Sequence, residues 1–237
     1  MTATLPTGPA PAPAPVPVPA VRTPADPDLS GFALMHRALR SGTRQLAGAV
    51  DGIARDDVCD RTRQRGIVRF AAAVLTEVRA HLEREDAALY RLVVESADEW
   101  ADLAPLSGDH AALERLLQQA WSVLPVFARC ASTGAPLLAP VLTELAERLE
   151  AHLAAEETIV FPRIRAHVPG AALERCRTRL RAGTSTSRLL FLAPWVADQC
   201  HPAELRHVLA AADARSRLLL SLGQKRYAAS RDAVLGG

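Results

Sequence analysis

Hydrophobic residues in this chain recur at steps of three and four over long stretches, the period of a helix with one buried face. Four such stretches follow one another. The first runs from about residue 29 to 50, with Asp28 or Ser30 placed to cap it. The second runs from about 61 to 94 and is entered through Asp56-Asp57-Val58-Cys59-Asp60. The third starts near Pro105, a good first-turn residue, and reaches about 129, with a kink expected at Pro125. The fourth follows the turn-like Ser132-Thr133-Gly134-Ala135-Pro136 and ends near 167, before Pro169-Gly170, with Pro162 expected to bend or shorten its last turns. Short loops between long helices imply antiparallel neighbours. The expected fold is all-α, an up-down-up-down four-helix bundle over residues 29–168.

Each helix carries a seam. The first reads Phe32, His36, Leu39, Thr43, Leu46, Val50, and the second Val74, Val78, His81, Glu85, Ala88, Leu92. The third reads Leu103, Leu106, His110, Leu113, Leu117, Ala120, Leu124, and the fourth Leu138, Leu142, Leu145, Leu149, His152, Glu156, Ile159. Every ionisable interruption of these stripes is a His or a Glu. Burying a carboxylate costs several kcal/mol unless it is paired or bound to a metal, so two seam glutamates call for a common explanation.

The heights agree. Residues level with each other across a helical hairpin are equidistant from its turn. The midpoint of His36 and His81 falls at residues 58–59, that of His81 and His110 at 95–96, and that of His110 and His152 at Ala131. All three midpoints lie at expected turns, so the four histidines should meet at one level of the interior.

The pattern is an internal repeat. His36 followed by His81-Leu-Glu-Arg-Glu85 is matched by His110 followed by His152-Leu-Ala-Ala-Glu156, and Asp86…Leu89-Tyr90 aligns with Glu157…Val160-Phe161. A His and a Glu at i and i+4 project from one face. Imidazole nitrogen with carboxylate oxygen suits iron, manganese or zinc, and two such helices facing each other could hold a metal pair with open positions for a small molecule.

These residues resemble the hemerythrin-like cation-binding (HHE) family. The order His, His-x-x-x-Glu, His, His-x-x-x-Glu and the stretch His-Leu-x-x-Glu-Glu-x-x-x-Phe-Pro at 152–162 carry the resemblance over about residues 29–168. It implies a non-haem di-iron centre, with His36 and His81 on one iron, His110 and His152 on the other, and Glu85 and Glu156 as bridges. It also implies a small diatomic or peroxide ligand: oxygen, peroxide or nitric oxide. An oxygen carrier of this family has a second histidine one turn after the third-helix ligand. Here that position is Glu114, read as an added ligand, a supporting group or a solvated side chain, and the change favours redox chemistry or iron sensing over oxygen carriage. Asp109 and Glu157 flank ligand positions and read by default as solvated side chains, with orienting hydrogen bonds to the ligands as the alternative. An iron-sensing module without turnover and a di-iron oxygenase acting on an organic substrate are the alternative functions.

Composition narrows the setting. The 237 residues are 49% hydrophobic and only 4% aromatic, which favours helices over an all-β fold. Net charge is +2, so no nucleic-acid partner is expected, and no apolar run approaches a membrane span. Cys59, Cys130, Cys176 and Cys200 form no C-x-x-C pair and read as free thiols of a cytoplasmic protein, although Cys59 and Cys130 fall in turns at the same end of the expected bundle and could approach each other.

The flanks differ from the centre. Residues 1–28 hold nine of the seventeen prolines and read as an extended or disordered Pro/Ala-rich tail. Residues 169–237 read as a C-terminal extension with helices at about 171–181 and 202–222. Between these helices, Leu189-Leu-Phe-Leu-Ala-Pro-Trp195 is read as packing against the bundle, with a homodimer contact or a lid as alternatives. His201 and His207 have no carboxylate at i+4 and read as surface histidines.

Overall fold

A computed structural model describes residues 27–56, 58–96, 103–212 and 214–236. The 1–26 part of the Pro/Ala-rich tail lies outside them. Every element among the described residues is helical: α1 (Ser30–Ala54), α2 (Arg61–Arg84), a π-helical turn (Glu85–Leu89), α3 (Tyr90–Ser96), α4 (Ala104–Arg129), α5 (Ala131–His167), α6 (Gly170–Ala182), α7 (Thr186–Asp198), α8 (Pro202–Ala211) and α9 (Ala214–Leu235). No helix among the described residues is long and apolar enough to cross a membrane.

Local chemistry sets several boundaries. Asp60 caps α2, its side chain accepting from the Arg63 backbone N–H at 2.7 Å. Asp28 accepts from Ser30 N at 2.9 Å just ahead of α1. The 132–136 stretch expected as a loop is instead the first turn of α5, and the chain reverses at the single extended residue Cys130. Gly134 makes this possible: a Cβ there would lie 2.3 Å from the Phe127 Cα, so only a glycine lets α5 press onto the end of α4. Pro125, Pro136, Pro140 and Pro162 all lie inside helices, and all are exposed.

Helix two departs from its expected form at one telling place. The π-helical turn starts at Glu85 and adds one residue to the turn, which rotates everything after it. The expected seam residues Ala88 and Leu92 are therefore only half-buried, while Leu89, Tyr90 and Val93 are buried.

α1 packs against α2 and α5, and α4 packs against α2 and α5. Cross-helix bonds give the directions. Arg40 and Arg44 of α1 reach Glu157 and Glu150 of α5, and Gln64 and Arg79 of α2 reach Phe127 and Glu114 of α4. In both pairs later residues of one helix meet earlier residues of the other. Two apolar clusters fill the interior, one around Leu39, Phe70, Leu117 and Leu142, the other around Leu89, Val93, Leu106 and Ile164. The seam histidines and glutamates belong to neither cluster.

The C-terminal region differs from expectation. The 189–195 block is itself helical, within α7, and the expected 202–222 helix is two helices separated by the extended Ala212, with α9 running on to Leu235. α7 and α9 pair with each other and lie on α1 and α2. Their Trp195, Tyr227 and Val234 are buried in the larger core cluster. The packing role read for 189–195 is what Trp195 performs.

Candidate metal centre

His36, His81, Glu85, His110, His152 and Glu156 lie together, each almost wholly buried. They form two overlapping groups, His36–His81–Glu85–Glu156 and Glu85–His110–His152, and within each the donor atoms lie within 4.8 Å of one another. α1 and α4 contribute one histidine each. α2 with its π-helical turn contributes His81 and Glu85, and α5 contributes His152 and Glu156, each as an i, i+4 pair. The four histidines thus meet at one level, with ring centroids 5.2 Å apart for His36–His81 and 4.7 Å for His110–His152.

Glu85 spans the two groups. Its Oε1 lies 2.7 Å from His81 Nε2, and its Oε2 lies 3.5 Å from His110 Nε2 and 3.7 Å from His152 Nε2. Glu156 is less symmetric. Its Oε2 lies 3.6 Å from His36 Nε2 and 3.9 Å from both His81 and His152 Nε2, whereas its Oε1 accepts the Tyr90 hydroxyl at 2.8 Å.

The outer faces of the imidazoles are held by carboxylates. His36 Nδ1 meets Glu157 Oε1 at 2.9 Å, and His110 Nδ1 meets Asp86 Oδ2 at 2.9 Å. A carboxylate can only accept, so each Nδ1 carries the proton and each Nε2 is directed into the cluster. Arg40 Nη1 donates to the same Glu157 Oε1 at 2.6 Å. Two aromatic rings close the layer: Phe161 lies against His36 with centroids 5.3 Å apart and Tyr90 stacks on His110 at 5.5 Å.

The electrostatics follow from this packing. Burial and the neighbouring His81 lower the His36 pKa to about 4, which keeps its imidazole neutral. Burial and the charge of Glu85 push the Glu156 carboxyl up to about 10. Burial also acts to raise Glu85, but His81, His110 and His152 outweigh it and hold that carboxylate ionised. Burial and the carboxylates around it push the Tyr90 phenol far above its ordinary range, so its hydroxyl stays a donor.

The donor set has a deficiency that cations would fill. Glu85 Oε1, Glu85 Oε2, Glu156 Oε2 and His81 Nε2 are buried without a hydrogen-bond partner. The 2.7 Å approach of His81 Nε2 to Glu85 Oε1 is therefore a contact of two donor atoms without hydrogen-bond alignment. Converging oxygen and nitrogen donors, with these four left unpartnered, fit a divalent or trivalent first-row metal.

The structure resolves two flanking residues whose roles the sequence leaves open. Glu114 turns away from the cluster and forms a two-point ion pair with Arg79 of α2, at 2.9 and 3.2 Å, while over a third exposed. It is neither a donor to the cluster nor a support for one. Asp109 lies 3.7 Å from His152 Nδ1, too far to hold it, and that nitrogen has no hydrogen-bond partner. Seam reasoning passed over Asp86 and Tyr90, yet the internal repeat pointed to both, since Asp86 aligns with Glu157 and Tyr90 with Phe161. His201 is exposed and takes part in the cap of α8. The His207 side chain lies outside the described residues.

The hemerythrin HHE cation binding domain family matches residues 29–164. No curated protein and no solved structure matches the chain.

Proposed function

The chain belongs to the hemerythrin HHE cation-binding domain family, and we propose that its buried cluster holds a pair of iron ions that bind or react with oxygen, peroxide or nitric oxide. The observation that carries this reading is the set of buried carboxylate and imidazole atoms with no hydrogen-bond partner. Leaving them unmet costs several kcal/mol, and metal coordination removes that cost. His36, His81, Glu85 and Glu156 would hold one ion, and Glu85, His110 and His152 the other. When bound, the iron pair supplies electrons and an open coordination position for a small ligand.

The chain supplies the rest. Glu157 and Asp86 hold the Nδ1 protons of His36 and His110, so the Nε2 atoms face inward without rearrangement. The apolar clusters keep water from the donor layer. The antiparallel cross-helix bonds support an up-down-up-down bundle of α1, α2–α3, α4 and α5 around that layer. Four free cysteines are consistent with a reducing cytoplasm.

Iron sensing is the second reading, and one contact favours it. Buried Glu77, one turn before His81, is held by Nε and Nη2 of Arg188, each at 2.8 Å, which ties α7 to the helix carrying His81. Mixing the reduced, iron-loaded chain with oxygen, peroxide and nitric oxide in turn tests between them. The redox reading expects a prompt change in visible absorption with at least one of the three. Retained iron with no change in any of them, together with a large iron-dependent rise in melting temperature, would leave sensing as the function.

A further inference from the structure

α9 is pressed onto its neighbours at two places. A Cβ on Gly223 would lie 1.9 Å from the Leu190 carbonyl oxygen of α7, and a Cβ on Gly66 of α2 would lie 2.2 Å from the Ala233 Cβ of α9. Between these two close approaches α2 presents the small residues Ala72 and Ala73, which leave room between the helices. The result is a cleft of about 320 Å³ bounded by α2, α7 and α9, within the size range of small-molecule sites.

Its walls and its rim differ in chemistry. Phe191 of α7 and Tyr227 of α9 meet edge to face on one side, with ring centroids 5.6 Å apart, and Leu190 and the two alanines extend the apolar lining. The Tyr227 hydroxyl already donates to Asp198 at 2.9 Å, so its ring is what the cleft receives.

Four charged side chains line the same cleft: Arg69, Glu77, Arg188 and Arg226. The one carboxylate is satisfied within the protein, since buried Glu77 accepts from Nε and Nη2 of Arg188 at 2.8 Å each. Arg69 and Arg226 are exposed and have no acidic partner among the described residues. The cleft therefore sets two unpaired guanidinium groups beside apolar walls.

A guanidinium fork matches a planar carboxylate, and Arg188 with Glu77 is an example in the same cleft. We propose that this cleft binds a small amphiphilic carboxylate, its head on Arg69 and Arg226 and its alkyl or aryl body on Phe191, Tyr227 and the two alanines. Neither half of such a ligand is enough alone. Exposed arginines are well hydrated and hold a bare anion weakly, and the walls offer a bare hydrocarbon no charge to anchor it. None of the six buried metal-type donors lines the cleft, so the proposal stands apart from the metal reading.

Isothermal titration of the full chain with octanoate tests this, with acetate as the head alone and octanol as the body alone. Octanoate should saturate at one per chain, and acetate and octanol should each bind more weakly by about ten-fold or more. Arg69→Ala and Arg226→Ala should each weaken octanoate about ten-fold, the scale of one lost hydrogen bond between charged groups. Both side chains are exposed, so neither variant should change the melting temperature. Ala73→Phe fills the cleft from α2 and should abolish binding with both arginines in place.

Octanoate that does not saturate, or octanol that binds as tightly as octanoate, would overturn the assignment. So would an affinity that both arginine variants leave unchanged.

Discussion

Glu157 of α5 accepts the Nδ1 proton of His36 of α1 at 2.9 Å, and through that bond an exposed surface network reaches the buried cluster. Arg40 holds the same carboxylate, so the orientation of a wholly buried imidazole is set by two half-buried residues outside it. The same relation recurs between Asp86 and His110.

Removing either carboxylate should weaken metal binding without removing a donor atom. Glu157→Ala and Asp86→Ala are each expected to lower metal affinity roughly 10- to 100-fold, the usual effect of losing the group that orients a ligating histidine. Asp109→Ala should leave affinity unchanged, because Asp109 does not reach His152. Competition with a chromophoric chelator measures all three, and equal losses in all three variants would count against this account.

Glu85→Ala should abolish binding of both ions, since Glu85 serves both groups of donors. Glu114→Ala should keep full metal content and change stability by no more than about 1 kcal/mol, as expected for a partly exposed ion pair. Metal analysis after dialysis, with denaturant melts alongside, separates the two variants. Two metals retained by Glu85→Ala would remove the bridging assignment.

The C-terminal helices should unfold with the rest of the molecule. Trp195 is fully buried in the main core, and a Cβ on Gly42 would meet its ring at 2.5 Å. Trp195→Ala should cost about 3–5 kcal/mol, the range for emptying a large aromatic site. Urea unfolding followed by circular dichroism should show one transition at a lower midpoint. Loss of α7–α9 signal in a separate, earlier transition would mean that the region is an independent unit.

Cys130 should be the reactive thiol. It is fully exposed at the α4–α5 reversal, and hydrogen bonds from Ser132 and Thr133 bring its pKa down to about 7. Burial instead pushes up Cys59, Cys176 and Cys200. Thiolate is the nucleophile, so Cys130 alkylation should rise as pH passes through about 7 and level off above it, ahead of the other three. Site-resolved mass spectrometry of iodoacetamide adducts across pH 5–9 reads this directly. Replacing Ser132 and Thr133 together with alanine should move the rise to higher pH.

Much of the arrangement is readable from residue order alone, and the exceptions have physical causes. The six seam residues stand out because a helix period converts spacing into a shared face, and antiparallel hairpins convert midpoints into shared height. Asp86 and Glu157 do not stand out that way, because both lie off the seam and act across helices on a histidine far away in sequence. The π-helical turn that begins at Glu85 is invisible to a 3.6-residue period, so that period points to Ala88 and Leu92 where Leu89 and Val93 are the buried residues. Glu114 has the right spacing from His110, yet Arg79 on α2 draws it outward, and no pattern within α4 records that partner. Gly134 resembles a turn residue in sequence but serves as a helix-crossing point, a distinction that depends on Phe127.

If these six side chains hold a metal pair, the metal content of freshly purified protein and its visible spectrum in air will show it. Two irons per chain are expected, with ligand-to-metal absorption that disappears on reduction and chelation. Protein that carries no iron and takes up none when reconstituted with ferrous iron under anaerobic conditions would contradict that assignment.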